Sequence, residues 1–363
     1  MFLARRLIVK SSVLYSQPSL VCLRKYQAAA GPDEPVNDFV YGYTSVLAAL
    51  EAKKRQRLKK VFLQHDALNP YTKKKDESFL QKIRDECIAR SIPTETVDKG
   101  TLNNLTGNRP HQGIVLKATQ RYTEGITGLN SLEKDGSYEA TPVATRRNKT
   151  PIAFTAPKDR QPFWIALDEV QDPQNLGSIL RTAHFFGVDG VLMCSKNSAP
   201  LSPTVSKVSA GAMEVMNIYS TNNLGKFLKA SSDNGWHIVG AVGDPSIAAT
   251  KSTNTTATAT TDTTTTTTVQ EPRPQQQYNQ TYYDICTLKK TLNDPSSETG
   301  QKPMVLVFGN EGNGLRTMIK ASCHSFVTIP RQASHLPSFK GEVDSLNVGV
   351  AVGVLISSLL LNF

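Results

Sequence analysis

From Phe163 onward the sequence keeps one rhythm: a short apolar run, an amphipathic stretch at helical spacing, then another apolar run. FWIALDEV, GVLMCS, MNIYS, HIVGAV, MVLVFG and SFVTIP read as strands. NLGSILRTAHFFG, SPTVSKVSAGAMEVM, NLGKFLKASSDNG, a stretch after Gly314 and the final run at 348–361 read as helices. Strands covered on both faces are continuous apolar runs, and strands separated by helices pair in parallel through crossovers. The rhythm therefore predicts an α/β domain with a parallel sheet, whose ligands belong beyond the carboxyl ends of its strands.

Ahead of that domain, residues 37–118 alternate strand and helix on a smaller scale. DFVYGYTSVLAALEAKKRQ suggests a strand or turn and then a helix, KKVFLQHD a strand, DESFLQKIRDECIARSI a helix, and TETVD and QGIVLKAT strands. This pattern makes a small α/β domain with helices packed on a sheet. Residues 119–160 are polar and irregular and read as a linker. The domain at 161–363 is interrupted at 246–301, where 13 of the 19 residues from 250 to 268 are Thr and a Gln-rich stretch follows. With little to bury, this segment reads as a disordered surface insertion.

Residues 1–32 hold Arg5, Arg6, Lys10, Arg24 and Lys25 and no acidic residue. A basic, Ser-containing, acid-free leader has the composition of a mitochondrial transit peptide; a disordered basic tail is the alternative. The formal net charge of +10 points towards an acidic partner, but half of it sits in this leader. Local patches must then carry the case for nucleic acid. The five cysteines are scattered with no CxxC pair, which argues against a zinc ribbon or disulfide framework and favours a reducing compartment. No stretch reaches the ~18 apolar residues a membrane span needs, so no stable membrane insertion is expected.

Three segments follow predicted strands of the larger domain. In DPQNLGSILRTA, Asp172 and Pro173 make a turn into a helix. Asn175 and Arg181 then offer an amide and a guanidinium beside a helix N-terminus, which suits a phosphate or ribose; an N-cap with a surface Arg is the plainer alternative. In VFGNEGNGL, at 307–315, a buried strand enters a glycine-rich turn. Its spacing is neither GxxxxGK nor GxGxxG, and Glu311 would repel a triphosphate. In DSLNVGVA, at 344–351, Ser345 and Asn347 open an apolar helix as ligand contacts or simply as caps.

Together, in this order and placement, the segments resemble the SpoU (TrmH) branch of the SPOUT RNA methyltransferases. DPQNLGSILRTA is similar to its first motif, VFGNEGNGLR to its second, and IP followed by SLNVGVAVG to its third. NSAPLSPTVSKVSAGAMEV is similar to the intervening segment. The unit from VYGYTSVLAAL to HQGIVLKA resembles the substrate-binding domain of the rRNA-modifying members, and the leader adds a likeness to the mitochondrial ones.

The resemblance implies a C-terminal SPOUT domain with a parallel sheet and a trefoil knot, an exception to the rule against knots. A small N-terminal α/β RNA-substrate-binding domain would precede it, in a homodimer. It implies S-adenosylmethionine as cofactor, with Gly309, Ile329 and Leu346 as contacts and the 240–244 loop as a weaker one. Asn175, Arg181, Glu311, Ser345 and Asn347 match the conserved polar set. No metal is implied. The implied reaction is 2′-O-ribose methylation of a guanosine in the peptidyl-transferase region of mitochondrial large-subunit rRNA, in the matrix, supporting ribosome assembly. A non-catalytic RNA-binding assembly factor and a tRNA 2′-O-methyltransferase are the competing readings.

Two departures stand out: Gly349 occupies a position usually held by Ser, and the 330–344 segment is longer than in bacterial relatives. For RNA, the run Lys53, Lys54, Arg55, Arg57, Lys59, Lys60 is the strongest basic patch, Lys73 to Lys75 a second, and Arg109 and His111 weaker candidates.

Overall fold

Residue runs without a charged side chain form the centre of the molecule. In β8 (Phe163–Leu167), Phe163, Ile165 and Leu167 face one core while Trp164 and Ala166 face the other, the two-residue period of a strand buried on both sides. The structure, a computed structural model, describes residues 36–65, 74–144, 150–243, 281–330 save 295 and 298, and 345–361. The leader at 1–32, most of the Thr/Gln-rich stretch and most of the 330–344 segment lie outside the described residues.

Beside β8 lie β9 (Gly190–Cys194), β10 (Ile218–Thr221), β11 (His237–Val242), β12 (Thr281–Asp284), β13 (Met304–Phe308) and β14 (Ser325–Thr328). Together with β5 (Glu124–Leu129), β6 (Ser137–Pro142) and β7 (Ile152–Thr155) they form a ten-stranded sheet ordered β12-β14-β11-β13-β8-β9-β10-β5-β6-β7. The pairs from β12 to β5 are all parallel, as the alternation predicts. One face carries α4 (Pro173–Phe185), α5 (Pro203–Val208), α6 (Ala212–Val215), α8 (Ile285–Asn293) and α10 (Val348–Leu360). The other carries α7 (Leu224–Asp233) and α9 (Thr317–Lys320).

Three expectations are corrected. Residues 119–160 are no plain linker: they hold β5 and the antiparallel strands β6 and β7, so the large sheet begins at Glu124. Tyr138 and Phe154 anchor these strands, and the buried Trp164 indole donates to Tyr138 Oη at 3.0 Å. The expected insertion at 246–301 gives up its last part to β12 and α8, whose Ile285 and Leu288 join the core. The helix expected over SPTVSKVSAGAMEVM breaks into α5 and α6 at Gly211, whose φ is +92°. A Cβ there would lie 2.7 Å from Ala48 Cβ and 2.8 Å from the Thr44 carbonyl oxygen, so the break lets the small domain approach.

That small domain has a sheet ordered β1-β4-β2-β3, built from β1 (Asn37–Tyr41), β2 (Leu58–Gln64), β3 (Thr94–Val97) and β4 (Ile114–Thr119). The helices α1 (Tyr43–Ala52), α2 (Lys74–Ala89) and α3 (Lys99–Thr106) complete it, with Val46, Leu47 and Leu50 buried. It is locked to the large domain through Arg55. The Arg55 guanidinium donates to both Glu214 oxygens at 2.8 Å, to Asp38 Oδ2 at 2.9 Å and to the Thr119 carbonyl at 2.6 Å. Ser45 Oγ adds a bond to the Ser206 carbonyl at 3.0 Å.

Arg55 is thus withdrawn from the basic patch, and so is Lys54, whose ammonium donates to the Met216 carbonyl and Asn217 Oδ1. Lys60 pairs with Glu95, Arg109 bonds Thr204, and His111 is buried against Asn103 and the Gly113 N–H. A run of cations in sequence is here largely interface and strand pairing. Lys53 and Arg57 remain exposed. Among the described residues, no helix is long and apolar enough to cross a membrane.

Candidate functional site

Three chain segments meet at the carboxyl edge of the large sheet. The first is the start of α4: Asp172 accepts the Gln174 N–H, Pro173 occupies the first turn, and Asn175 follows on the same turn. The second is the loop after β13. Its ends close as an antiparallel bridge, Asn310 N–H to the Gly314 carbonyl at 3.1 Å and Gly314 N–H to the Asn310 carbonyl at 2.9 Å. Asn310 Oδ1 accepts the Gly312 N–H and its Nδ2 donates to the Glu169 carbonyl. A Cβ on Gly309 would sit 2.1 Å from the Gly314 carbonyl carbon, so this closure alone demands glycine there. The third is the start of α10, which Asn347 caps by accepting the Gly349 N–H at 2.9 Å.

One chain of hydrogen bonds ties the three together. Asn347 Nδ2 donates to Asn175 Oδ1 at 2.9 Å, and Asn175 Nδ2 donates to Glu311 Oε1 at 3.0 Å. The polarity follows from chemistry. An ionised carboxylate only accepts, so Asn175 must turn its NH2 to Glu311 and its carbonyl to Asn347. Asn347 must then present its NH2, which leaves its own carbonyl for the Gly349 N–H. One acidic residue thereby fixes the orientation of two amides and the first turn of a helix.

Glu311, Asn175 and Asn347 therefore converge. Ser345 lies two residues before Asn347 and is exposed. Arg181 stands apart: six residues beyond Asn175 it lies about 9 Å further along α4 and roughly 120° around it. It is exposed and makes no hydrogen bond or ion pair among the described residues. Its neighbour one turn back, Ser178, abuts Gly349, and Thr182 abuts Gly353, so α4 and α10 run side by side in the same direction. An ideal Cβ on Gly349 would come 3.0 Å from Ser178 Oγ, so the Ser178 hydroxyl crowds the place a serine at 349 would need.

Gly309 and Ile329 directly follow β13 and β14, the two neighbours of β11. The pairs Val307↔Gly240 and Val242↔Thr328 bring all three strands to an end at one level, and the loop expected at 240–244 is strand as far as Val242. Leu346 adjoins Asn347 and is half exposed. Gly309, Ile329 and Leu346 carry no charge, and the edge they mark is apolar and backbone-rich.

A cluster that the sequence reading passed over supports the glycine-rich loop from below. Asp168, buried at the end of β8, accepts the Arg316 N–H at 3.2 Å and the Arg316 guanidinium, which also reaches Glu169 Oε1 at 2.7 Å. The hydrogen bond to Asp168 holds the Arg316 guanidinium above its ordinary pKa. Cys194 Sγ lies 3.8 Å from both Asp168 and Arg316, and burial pushes its thiol up to about 11. The available signal was an acidic pair closing one apolar run and an Arg shortly after the glycines of another. Among the described residues, no three His, Cys, Asp or Glu side chains are grouped to hold a metal ion.

Comparison with known proteins agrees with this geometry. The model of the SpoU rRNA Methylase family matches residues 162–357, and a model described as RNA 2′-O ribose methyltransferase substrate binding matches 39–123. The mitochondrial rRNA methyltransferase 1 of Schizosaccharomyces pombe is 30% identical over 89% of this chain and 90% of its own length. That of Dictyostelium discoideum is 32% identical over 80% of this chain, which spans only 46% of that longer protein. The 23S rRNA (guanosine-2′-O-)-methyltransferase RlmB of Vibrio parahaemolyticus is 24% identical, covering 88% of this chain and 94% of its own. Among solved structures, the AdoMet-bound rRNA methyltransferase from Sinorhizobium meliloti shares the fold with a TM-score of 0.52 at 18% identity, covering 89% of this chain and 86% of that one.

Proposed function

The chain belongs to the SpoU rRNA methylase family, and on that premise we propose that it methylates the ribose 2′-hydroxyl of a guanosine in mitochondrial large-subunit rRNA, using S-adenosylmethionine. The observation that carries the reading is the hydrogen-bonded chain Asn347–Asn175–Glu311, which joins three loops distant in sequence at the ligand-binding edge of a parallel sheet. The guanosine and the mitochondrial substrate follow the activities named for the relatives.

The residues at the edge fit the cofactor. Gly309, Ile329 and Leu346 offer main-chain groups and apolar surface without a charged side chain, which suits a purine ring and a methionine main chain. When bound, S-adenosylmethionine supplies a methyl group already activated on a sulfonium. The rest falls to positioning, which can supply a large part of the barrier reduction. Glu311, through Asn175, fixes the loop against α4, and Asn347 fixes α10 against both. Ser345 and Asn175 are assigned to orient the ribose.

Arg181 has the freedom to meet RNA. A guanidinium does not give up its proton at neutral pH, so its role is a clamp on the neighbouring phosphate that also stabilises the 2′-oxygen as negative charge grows on it. Phe185 lies one turn beyond Arg181 on the same face of α4 and is 81% exposed; Leu346, just before α10, and Val350, in its first turn, are exposed as well. A second copy of the chain covering these apolar side chains would wall the Arg181 site, and the reading therefore includes a homodimer. It also includes matrix location, residues 1–32 as leader, 37–118 as the RNA-binding unit and a knotted C-terminal segment.

The test combines purified chain, labelled S-adenosylmethionine and a transcript of the mitochondrial large-subunit rRNA, with ribose methylation mapped by resistance to alkaline hydrolysis. One protected guanosine is expected. In a parallel reaction with tRNA in place of the transcript, label entering tRNA alone supports the competing substrate, and no label in either reaction supports the assembly-factor reading.

A further inference from the structure

Between the two domains lies a cavity of about 400 Å³ that the proposed chemistry leaves unused. Arg121, Tyr122 and Asp38 line it from the small-domain side, Ser195, Ser198 and Ser202 from the loop after β9, and Ser220 from β10. Strands β8, β9 and β10 are parallel, so this cavity opens at the same edge of the sheet as the site. From β13 to β9 is two strand spacings, on the order of 10 Å. Cys194, in its wall, touches Asp168 and Arg316 beneath the glycine-rich loop.

Two polar atoms here are buried without a partner: Arg121 Nε and Ser198 Oγ. Folded chains rarely leave such atoms unmatched unless a ligand or solvent completes them. Arg121 donates only to main-chain carbonyls, those of Tyr122 and, at 3.5 Å, Met216, and no carboxylate pairs with it among the described residues. Asp38, the one acidic group in the lining, is already held by Arg55 at 2.9 Å, and Glu214 is held by the same guanidinium. Arg121 is the one cation in the lining, and Lys54 and Arg55 lie close enough to repel it. Burial pushes Arg121 below its usual pKa and, with Arg121 nearby, holds Lys54 at about 8, so both cations are partly stripped of water. Tyr122, 52% exposed beside this group, offers a ring for stacking.

We infer that this interdomain cavity binds a phosphodiester of the substrate RNA flanking the methylated nucleotide, Arg121 and Ser198 holding the phosphate and Tyr122 stacking on the adjoining base. The inference rests on the proposed RNA methylation and adds a second point of grip, placed so that an RNA strand crossing the sheet edge engages both domains.

The test measures affinity for a transcript of the large-subunit rRNA across a salt series, with full-length chain. Arg121→Gln is expected to weaken binding about tenfold and to lower the slope of log K against log salt by about 0.7, the value of one phosphate contact on a single strand. Arg121→Lys keeps the charge and is expected to keep the slope while losing part of the affinity. Ser198→Leu leaves Arg121 in place but replaces the unpartnered hydroxyl by a bulkier apolar side chain in the cavity wall, and is expected to weaken binding as well, with S-adenosylmethionine affinity unchanged in all three. If the wild type methylates the transcript while Arg121→Gln and Ser198→Leu match it in affinity and slope, the cavity reading falls and the function stands. The cavity reading falls too if those variants lose affinity for guanosine monophosphate but not for the transcript. A wild type that neither binds nor methylates the transcript overturns both.

Discussion

Replacing Arg55 by Met tests the contact that sets the two domains against each other. The Arg55 side chain is 0% exposed and Glu214 1%, so neither group can turn to water. Four hydrogen bonds leave the guanidinium, two to Glu214, one to Asp38 and one to the Thr119 carbonyl. Without it, Glu214 keeps only the Ser206 hydroxyl at 2.8 Å, and Asp38 loses the partner that opposes its burial. Removing one member of a buried ion network costs about 3–5 kcal/mol, because the remaining charge stays desolvated. Asp38 limits its own share: burial already lifts its carboxyl above the ordinary pKa, so it can take a proton. The expected loss is therefore about 3–4 kcal/mol. Both tryptophans, Trp164 and Trp236, lie in the core of the large domain, so urea unfolding followed by their fluorescence reports that domain, while circular dichroism reports both. In Arg55→Met the two signals are expected to separate as the small domain melts first. The triple change Arg55→Met, Asp38→Leu, Glu214→Leu is expected to recover most of the loss, since no buried charge remains. A cost below about 1 kcal/mol for Arg55→Met, the range of a solvated surface pair, would refute the reasoning.

Four further outcomes follow from the geometry. Arg181→Lys is expected to cut kcat by on the order of 10²–10³ while calorimetry shows unchanged S-adenosylmethionine affinity, because a point charge cannot replace a planar fork; near-normal turnover rejects the clamp. Glu311→Gln keeps an oxygen that can accept from Asn175 but removes the charge that sets the amide polarity, and exchanging a charge-assisted bond of about 1.5–3 kcal/mol for a neutral one of about 0.5–1.5 kcal/mol predicts a fall in kcat on the order of 10-fold, read in single-turnover assays. Phe185→Glu is expected to shift the sedimentation mass from dimer to monomer and to lower activity at low protein concentration; an unchanged mass removes α4 from the interface. Burial, with His324 and Lys302 nearby, pushes His237 down to about 4, so in the folded chain it binds fewer protons than in the unfolded chain between about pH 4 and 6.5. Stability must then rise with pH across that window, by up to about 3 kcal/mol, and be lost as pH falls through it. Urea midpoints at pH 5 and 7 should differ less in His237→Gln.

The central strands were legible because a strand buried on both faces leaves few alternatives to an apolar run. The convergence of Asn175, Glu311 and Asn347 was legible for another reason: turn and cap chemistry marks where strands end and helices begin, and that is the edge at which a parallel sheet gathers its loops. What stayed hidden had partners far away in sequence. SYEATP at Ser137–Pro142 alternates buried and exposed residues, but with only Tyr138, Ala140 and Pro142 inside it looks like polar loop until Trp164 is seen to bond Tyr138. The strand at Thr281–Asp284 and the helix at Ile285–Asn293 follow a Thr/Gln-rich stretch whose composition masks them. Arg55 sits in a run of cations that reads as one solvated face, and its partner Glu214 is 159 residues away. Arg181 shows the reverse limit. Its motif marks it, yet among the described residues it makes no hydrogen bond or ion pair that would give it a place.

The interface and the site share one packed path. Glu214, gripped by Arg55, accepts a hydrogen bond from Ser206 on α5, and Ser45 of the small domain bonds the Ser206 carbonyl. On the same short helix Val208 presses on Gly177 of α4, where a Cβ would lie only 2.6 Å from Val208 Cβ. Gly177 stands two residues after Asn175 and next to Ser178, the contact of α10. The small domain is therefore seated on the helix pair that backs the candidate site. Interiors this closely packed deform little, so the position of the small domain and the start of α4 are set together. A hinged substrate-binding module would need a thin, solvated contact; a buried ion network and an abutting glycine make the opposite arrangement. A ligand on the small domain would consequently be held at a fixed place relative to Asn175 and the start of α4, which is what the proposed reaction, dependent on alignment, requires.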